Sequence, residues 1–246
     1  TAYQLLFMGD NDTNGAQEED IFPLLFDGKT TQSYGGMMFL VSSTRKGDEG
    51  NSGTSEHWAG NWCRKTMLDK FFPSTDAPQG TTDQLVTAAG DDRALLYGVN
   101  RQRSMKKETD PGFSCCKFTN IHADSSATHD YKFVDTDYPF MRTAEAYLTY
   151  AEALIRENGG TCSTEAKEAV NALRKRAHAR EANTYSLRDI LTEWSKEFWF
   201  EGRRRIDLIR FGLYGGQSEY KWENMGGSYE GSQFDAYRNI FPIPNS

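Results

Sequence analysis

Three stretches decide the fold of this 246-residue chain: Arg142-Thr-Ala-Glu-Ala-Tyr-Leu-Thr-Tyr-Ala-Glu-Ala153, Asn171-Ala-Leu-Arg-Lys-Arg-Ala177 and Glu201-Gly-Arg-Arg-Arg-Ile-Asp-Leu208. Ala144, Tyr147, Leu148, Ala151, Leu154 and Ile155 recur at helical spacing, and Asn158-Gly-Gly160 ends the run. Ala166, Val170, Leu173 and Ala177 form a second apolar stripe whose small residues allow close approach. Residues 144–179 are therefore predicted to be an antiparallel helical hairpin, about the size of a ~34-residue tetratricopeptide-type unit. Ser186, three residues before Asp189, starts a third helix as a capping box, with Leu187, Ile190, Leu191, Trp194 and Phe198 on one face. Glu193, Glu197 and Glu201 follow at four-residue spacing, where like charges repel. They call for arginines, which the Arg203–Arg210 segment is expected to supply. Asp137-Tyr138-Pro139 reads as the start of the first helix, with proline in the first turn where its missing N–H costs nothing.

Outward from this core the pattern loosens. Residues 1 to about 60 are rich in Gly, Asn, Asp, Ser and Thr, with apolar bursts at Leu5 to Met8 and Ile21 to Phe26, and read as loops with short helices or strands. Trp58, Trp62, Leu68, Phe71 and Phe72 predict a helix over 58–72, stopped by Pro73. Residues 74–135 read as irregular except for a strand at Phe113 to Thr119. The tail from Gly212 returns to Gly, Ser, Tyr and Trp and closes on Phe241-Pro-Ile-Pro244. The expected organisation is mainly α: a loop-rich, aromatic-bearing region over 1–135, a helical scaffold over 136–211 and a loop-rich tail over 212–246.

Composition narrows the function. A hydrophobic content of 37% is enough for a core, and a net charge of −7 argues against nucleic acid or anionic membrane as the main partner. No run approaches the ~20 apolar residues of a membrane span. The chain begins Thr-Ala-Tyr-Gln without Met, so an upstream piece is expected to be absent. Cys63, Cys115, Cys116 and Cys162 lack Cys-x-x-Cys spacing; idle thiols are expected, with a Cys63 to Cys162 disulfide left open. Asp10-x-Asp12-x-Asn14-Gly15 opens like an EF-hand loop but has Ile21 where the bidentate Glu belongs. It reads as a surface turn, with another kind of calcium site left open, and no metal ligand is assigned. Glu18-Glu-Asp20 and Asp91-Asp92 read as solvated acidic groups, no nucleophile or phosphate-loop motif is present, and neither catalysis nor a cofactor is expected.

Arg142-x-Ala-Glu-Ala-Tyr-Leu-x-Tyr-Ala-Glu-Ala, Asn171-x-x-Arg174-x-Arg176-Ala177, Glu197 through Phe200-Glu-Gly-x-Arg204-x-x-Asp207-Leu208-x-Arg210-Phe211-Gly212 and the terminal Phe-Pro-Ile-Pro stand in one order. Together they resemble the C-terminal half of the SusD/RagB family. The resemblance implies tetratricopeptide-type hairpins with long loop-rich segments and little strand, all within one domain lacking its N-terminal half. It also implies a non-catalytic lipoprotein on the outer face of a Gram-negative outer membrane. Such a protein captures a nutrient, a glycan or in RagB-like members a peptide, for a SusC-like TonB-dependent transporter. The lipid anchor and first helical repeats would lie in the missing half. A helical-repeat module for protein interaction is the other reading.

Glycan recognition rests on aromatic faces, with amide, carboxylate and guanidinium groups for the hydroxyls. Tyr34, between Ser33 and Gly35-Gly36, is placed for exposure. Trp58 and Trp62 lie one helical turn apart with Asn61 between them, and would share a face, either as a platform or in the core. The Tyr214 to Tyr229 region, with Tyr220 and Trp222, is a third candidate. Arg203 to Arg205 reads either as a phosphate site or as helix-face pairing with Glu197, Glu201 or Asp207.

Overall fold

The computed structural model describes residues 1–73, 78–105, 110–216, 222 and 229–243. Two compact units form, Thr1–Glu197 and Phe198–Ser246.

In the first unit the helical hairpin is α5 (Thr143–Glu157) packed on α6 (Thr164–Arg176), after α1 (Ala2–Leu5), α2 (Met37–Ser42), α3 (Lys65–Phe71) and α4 (Thr82–Ala89). Ala144, Leu148, Ala151 and Ile155 of α5 and Ala166, Val170 and Leu173 of α6 are buried, the stripes expected from their spacing. Helix α7 (Leu187–Phe198) starts on the predicted box: the Ser186 amide donates to Asp189 Oδ2 at 2.8 Å and the Asp189 amide to Ser186 Oγ at 3.2 Å. Strand is sparse. β1 (Asp20–Leu24) pairs antiparallel with β4 (Tyr138–Arg142), and β2 (Leu96–Tyr97) with β3 (Ser114–Cys115).

Tertiary hydrogen bonds overturn two local expectations. Residues 138–142 form a strand, and α5 begins only at Thr143. Asn11 bonds both backbone groups of Asp137, and the Phe26 amide donates to Asp137 Oδ1 at 2.7 Å, so distant residues hold the segment extended. Pro139 faces Pro23 across the two-stranded ribbon, where a missing N–H is tolerated. The helix expected over 58–72 likewise shrinks to Lys65–Phe71. The amides of Trp58, Gly60 and Asn61 donate to the carbonyls of Ser42 and Ser43, Ala59 sits at φ +51°, and the Cys63 amide donates to Phe113 O. The strand expected over 113–119 is reduced to Ser114–Cys115. All four thiols are free, so Cys63 and Cys162 are not joined; burial pushes the Cys115 thiol up to about 12.

The glutamates of α7 are matched by arginines other than those expected. Glu193 pairs with Arg93 and Arg174; Glu197 pairs with Arg93, Arg142 and Arg176. Asp91 and Glu19 complete the network, on Arg93 at 2.8 Å and on Arg142 at 2.8 Å. Arg93, Arg142 and Glu197 are fully buried. The second unit holds α8 (Arg204–Arg210), where Arg203 and Arg210 flank the buried Asp207 carboxylate at 3.6 and 3.0 Å.

Candidate functional site

In the first unit four aromatic rings from three separate segments meet at the surface. Phe133 lies 5.3 Å from Tyr34, Tyr34 6.1 Å from Trp58, and Trp58 6.3 Å from Phe39, each pair tilted by 50 to 57°. Tyr34 is 50% exposed and Phe39 46%, while Trp58 and Phe133 are half-buried.

Each ring has a local cause for its place. Gly35 N–H donates to Ser33 Oγ at 3.1 Å, which turns the chain at Tyr34. Gly36 follows at φ +61° as the N-cap of α2, and a Cβ there would come within 2.7 Å of the Phe26 ring, so the position requires glycine. Phe39 then lies on α2. The carbonyls of Ser42 and Ser43 at the end of that helix accept the amides of Trp58, Gly60 and Asn61 and so hold Trp58 beside the helix that carries Phe39. Phe133 is fixed by Asp130, whose Oδ1 accepts the amides of Lys132 at 2.6 Å and Phe133 at 3.1 Å; those bonds hold the Asp130 carboxyl below its ordinary range.

Polar groups border the rings. The Trp58 indole donates to Glu56 Oε2 at 3.1 Å. Lys132 Nζ sits 5.1 Å from the centre of the Tyr34 ring, and hydrogen bonding to Tyr34 raises its pKa. Asn61 donates from Nδ2 to Ser43 Oγ at 3.1 Å, leaving its amide oxygen for other use. Open, mutually tilted rings with hydroxyl, amide and charged groups at their edges suit the apolar face and hydroxyl rim of a sugar.

Of the residues read from the sequence, Tyr34, Trp58 and Asn61 come together around the end of α2. Trp62 meets instead the buried Arg101 guanidinium, 5.7 Å from its ring, and Arg101 is held by Asp48 and Glu49. The shared helical face proposed for the two indoles does not form, because residues 58–62 are not helical. Trp222 belongs to the second unit, stacked on Phe234 at 5.1 Å and edge-on to Tyr214 at 5.2 Å. Tyr220 and Pro244 lie outside the described residues. Phe39, Phe133 and Lys132 were not legible as site residues, since only tertiary folding brings their segments beside Tyr34.

Two carboxylate clusters serve as fasteners. Asp10 accepts from Asn14 Nδ2 at 3.1 Å and from the Ala123 amide at 2.8 Å, a side-chain-stapled turn. Among the described residues, Asp27, His129 and Asp135 bring potential metal-ligand atoms within 4.8 Å of one another. Asp135 already accepts the amides of Gly28 at 2.8 Å and His129 at 2.9 Å, tying those two loops together.

Comparison with known proteins gives a consistent picture. The profile described as SusD family matches residues 24–246. The starch-binding protein SusD of Bacteroides thetaiotaomicron is 38% identical over 282 aligned residues, which take in 100% of this chain and 50% of that protein. Surface glycan-binding protein A from Bacteroides uniformis is similar in structure with a TM-score of 0.61 at 22% identity, over 99% of this chain and 49% of that one. Surface glycan-binding protein A from Bacteroides thetaiotaomicron, solved in complex with laminarihexaose, gives 0.59 at 21%, over 96% and 51%. The chain spans about half the length of the curated relative it matches.

Proposed function

The chain belongs to the SusD family, and on that premise we propose that it is a non-catalytic glycan-binding protein whose ligand lies across Tyr34, Trp58 and the neighbouring Phe39 and Phe133. The observation that carries this reading is the exposed aromatic arc, built from three segments and bordered by Glu56, Asn61 and Lys132. A core cluster would bury these rings; here two of the four stay half in solvent. A relative named for starch binding and a neighbour solved with laminarihexaose support a neutral glucan as the ligand class.

In this reading the protein stands at the outer face of a Gram-negative outer membrane and passes its glycan to a SusC-like TonB-dependent transporter. Among the described residues no helix is long and apolar enough to cross a bilayer. Calorimetry with maltohexaose, laminarihexaose and a wider polysaccharide panel tests the ligand. Binding that disappears in Trp58→Ala supports the arc. Silence across the panel combined with peptide binding would move the assignment to a peptide-capturing, RagB-like member. Co-purification of a transporter barrel tests the partner, whereas capture of soluble proteins alone would favour a general helical-repeat interaction module.

A further inference from the structure

A second cleft, of about 540 Å³, lies within the unit Phe198–Ser246, lined in part by Arg205, Arg238, Tyr214, Trp222 and Phe234. Trp222 and Phe234 stack with only 11° between their planes, and Tyr214 stands edge-on to both. The Arg205 guanidinium lies 4.9 Å from the Tyr214 ring and 3.7 Å from Phe241, and that of Arg238 lies 5.3 Å from Phe234. Arg205 Nη2 also donates to Arg238 O at 2.6 Å, which ties the two residues together. Among the described residues, neither guanidinium has a carboxylate partner.

The chain has 35 acidic against 28 basic residues, and Arg93, Arg101, Arg142 and Arg176 of the first unit are all paired with carboxylates. A guanidinium resting on aromatic rings keeps its N–H groups at the ring edge; one of those of Arg205 is taken by Arg238 O, and the others, with those of Arg238, can donate to a carboxylate or sulfate. Ser232 and Gln233 add neutral hydrogen-bonding groups to the lining. Asp235, exposed on the same cleft, opposes a ligand of dense negative charge and favours one carrying isolated acidic groups.

We propose that this cleft is a second ligand site, specific for an acidic sugar residue held through its anionic group by Arg205 and Arg238 and through its ring by the aromatic wall around Trp222. It is independent of the Tyr34–Trp58 arc, so a neutral and an acidic ligand would each be held at its own site.

The test is calorimetry on the full 246-residue chain with hexagalacturonate, a sulfated hexasaccharide and neutral maltohexaose. An acidic oligosaccharide should bind, and Arg205→Gln combined with Arg238→Gln should weaken it at least about tenfold while maltohexaose is unchanged. Trp58→Ala should give the opposite pattern. Whichever acidic oligosaccharide binds identifies carboxylate or sulfate as the preferred group. Raising NaCl from about 50 to about 500 mM should weaken the acidic ligand selectively. Arg238→Gln alone, at an exposed side chain, keeps the test valid if the double variant folds poorly. The proposal is overturned if neither acidic oligosaccharide binds, if the variants leave binding intact, or if inorganic sulfate alone competes as well as the sugar. Failure of the unsubstituted chain to bind maltohexaose while it binds an acidic oligosaccharide would count against the Tyr34–Trp58 arc and leave this cleft standing.

Discussion

Glu197 is fully buried, and guanidiniums from Arg93, Arg142 and Arg176 converge on its carboxylate. Burial alone would raise its pKa, but the three arginines outweigh it and hold the carboxyl well below its ordinary range. Glu197→Gln should cost about 3–5 kcal/mol in urea unfolding, because it leaves buried positive charge uncompensated. Asp137 runs the other way: burial pushes its carboxyl up to about 6, with the nearby Asp12 and Asp135 charges adding to the effect. Its folded pKa lies above the ordinary value, so this group favours the folded state at low pH and opposes it once ionised. Asp137→Asn keeps an acceptor for the Phe26 amide and should stabilise the protein at pH 7 by about 1–3 kcal/mol, with little gain at pH 4. Comparative melting at the two pH values reads this directly. Tyr34→Ala should weaken glycan binding about tenfold while changing stability by less than about 0.5 kcal/mol, since half of the ring is already in solvent.

The long helices were legible because their folding signals are local. The apolar stripes of α5 and α6 and the Ser186–Asp189 box of α7 each fall within a few turns of chain, and the structure keeps them. Ser186→Ala should lower stability by about 1 kcal/mol in thermal unfolding by removing the cap. Strand β4 was not legible, because what holds residues 138–142 extended comes from Asn11 and Phe26, more than a hundred residues away. The short α3 has the same explanation: the amides of residues 58–61 and of Cys63 bond carbonyls of Ser42, Ser43, Arg45 and Phe113, which no periodicity within 58–72 announces. The candidate site was therefore half visible. Tyr34, Trp58 and Asn61 stood out as aromatic and amide groups in Gly- and Asn-rich surroundings, while Phe39 lay in the loop-rich first 60 residues without a distinguishing signal and Phe133 in a segment read as irregular.

At the scale of the molecule, the network of Glu19, Asp91, Glu193 and Glu197 with Arg93, Arg142, Arg174 and Arg176 joins the strand ribbon, the α5–α6 hairpin and α7. Glu197 and Asp91 both have folded pKa values below their ordinary ones, so their contribution is present at neutral pH and is lost as pH falls below the ordinary carboxylate range. Asp137 opposes this trend over pH 4–6. The midpoint of thermal unfolding should therefore change little between pH 7 and about 5 and fall steeply below about 4, with Glu197→Gln flattening the acid limb.

The sequence by itself determined the family, the helical scaffold and the aromatic content of the loop-rich segments, because these rest on composition, on short-range spacing and on motifs in a fixed order. It also indicated that the α7 glutamates need arginines. Tertiary structure alone decided which arginines, which of Tyr34, Trp58 and Trp62 meet in one arc, and that Arg205 and Arg238 share a cleft in which neither is paired with a carboxylate among the described residues. The physical reason is the same in each case. Charge pairing and ring contact depend on distance in space, and a hydrogen bond from a residue a hundred positions away can outweigh the local preference for helix or strand.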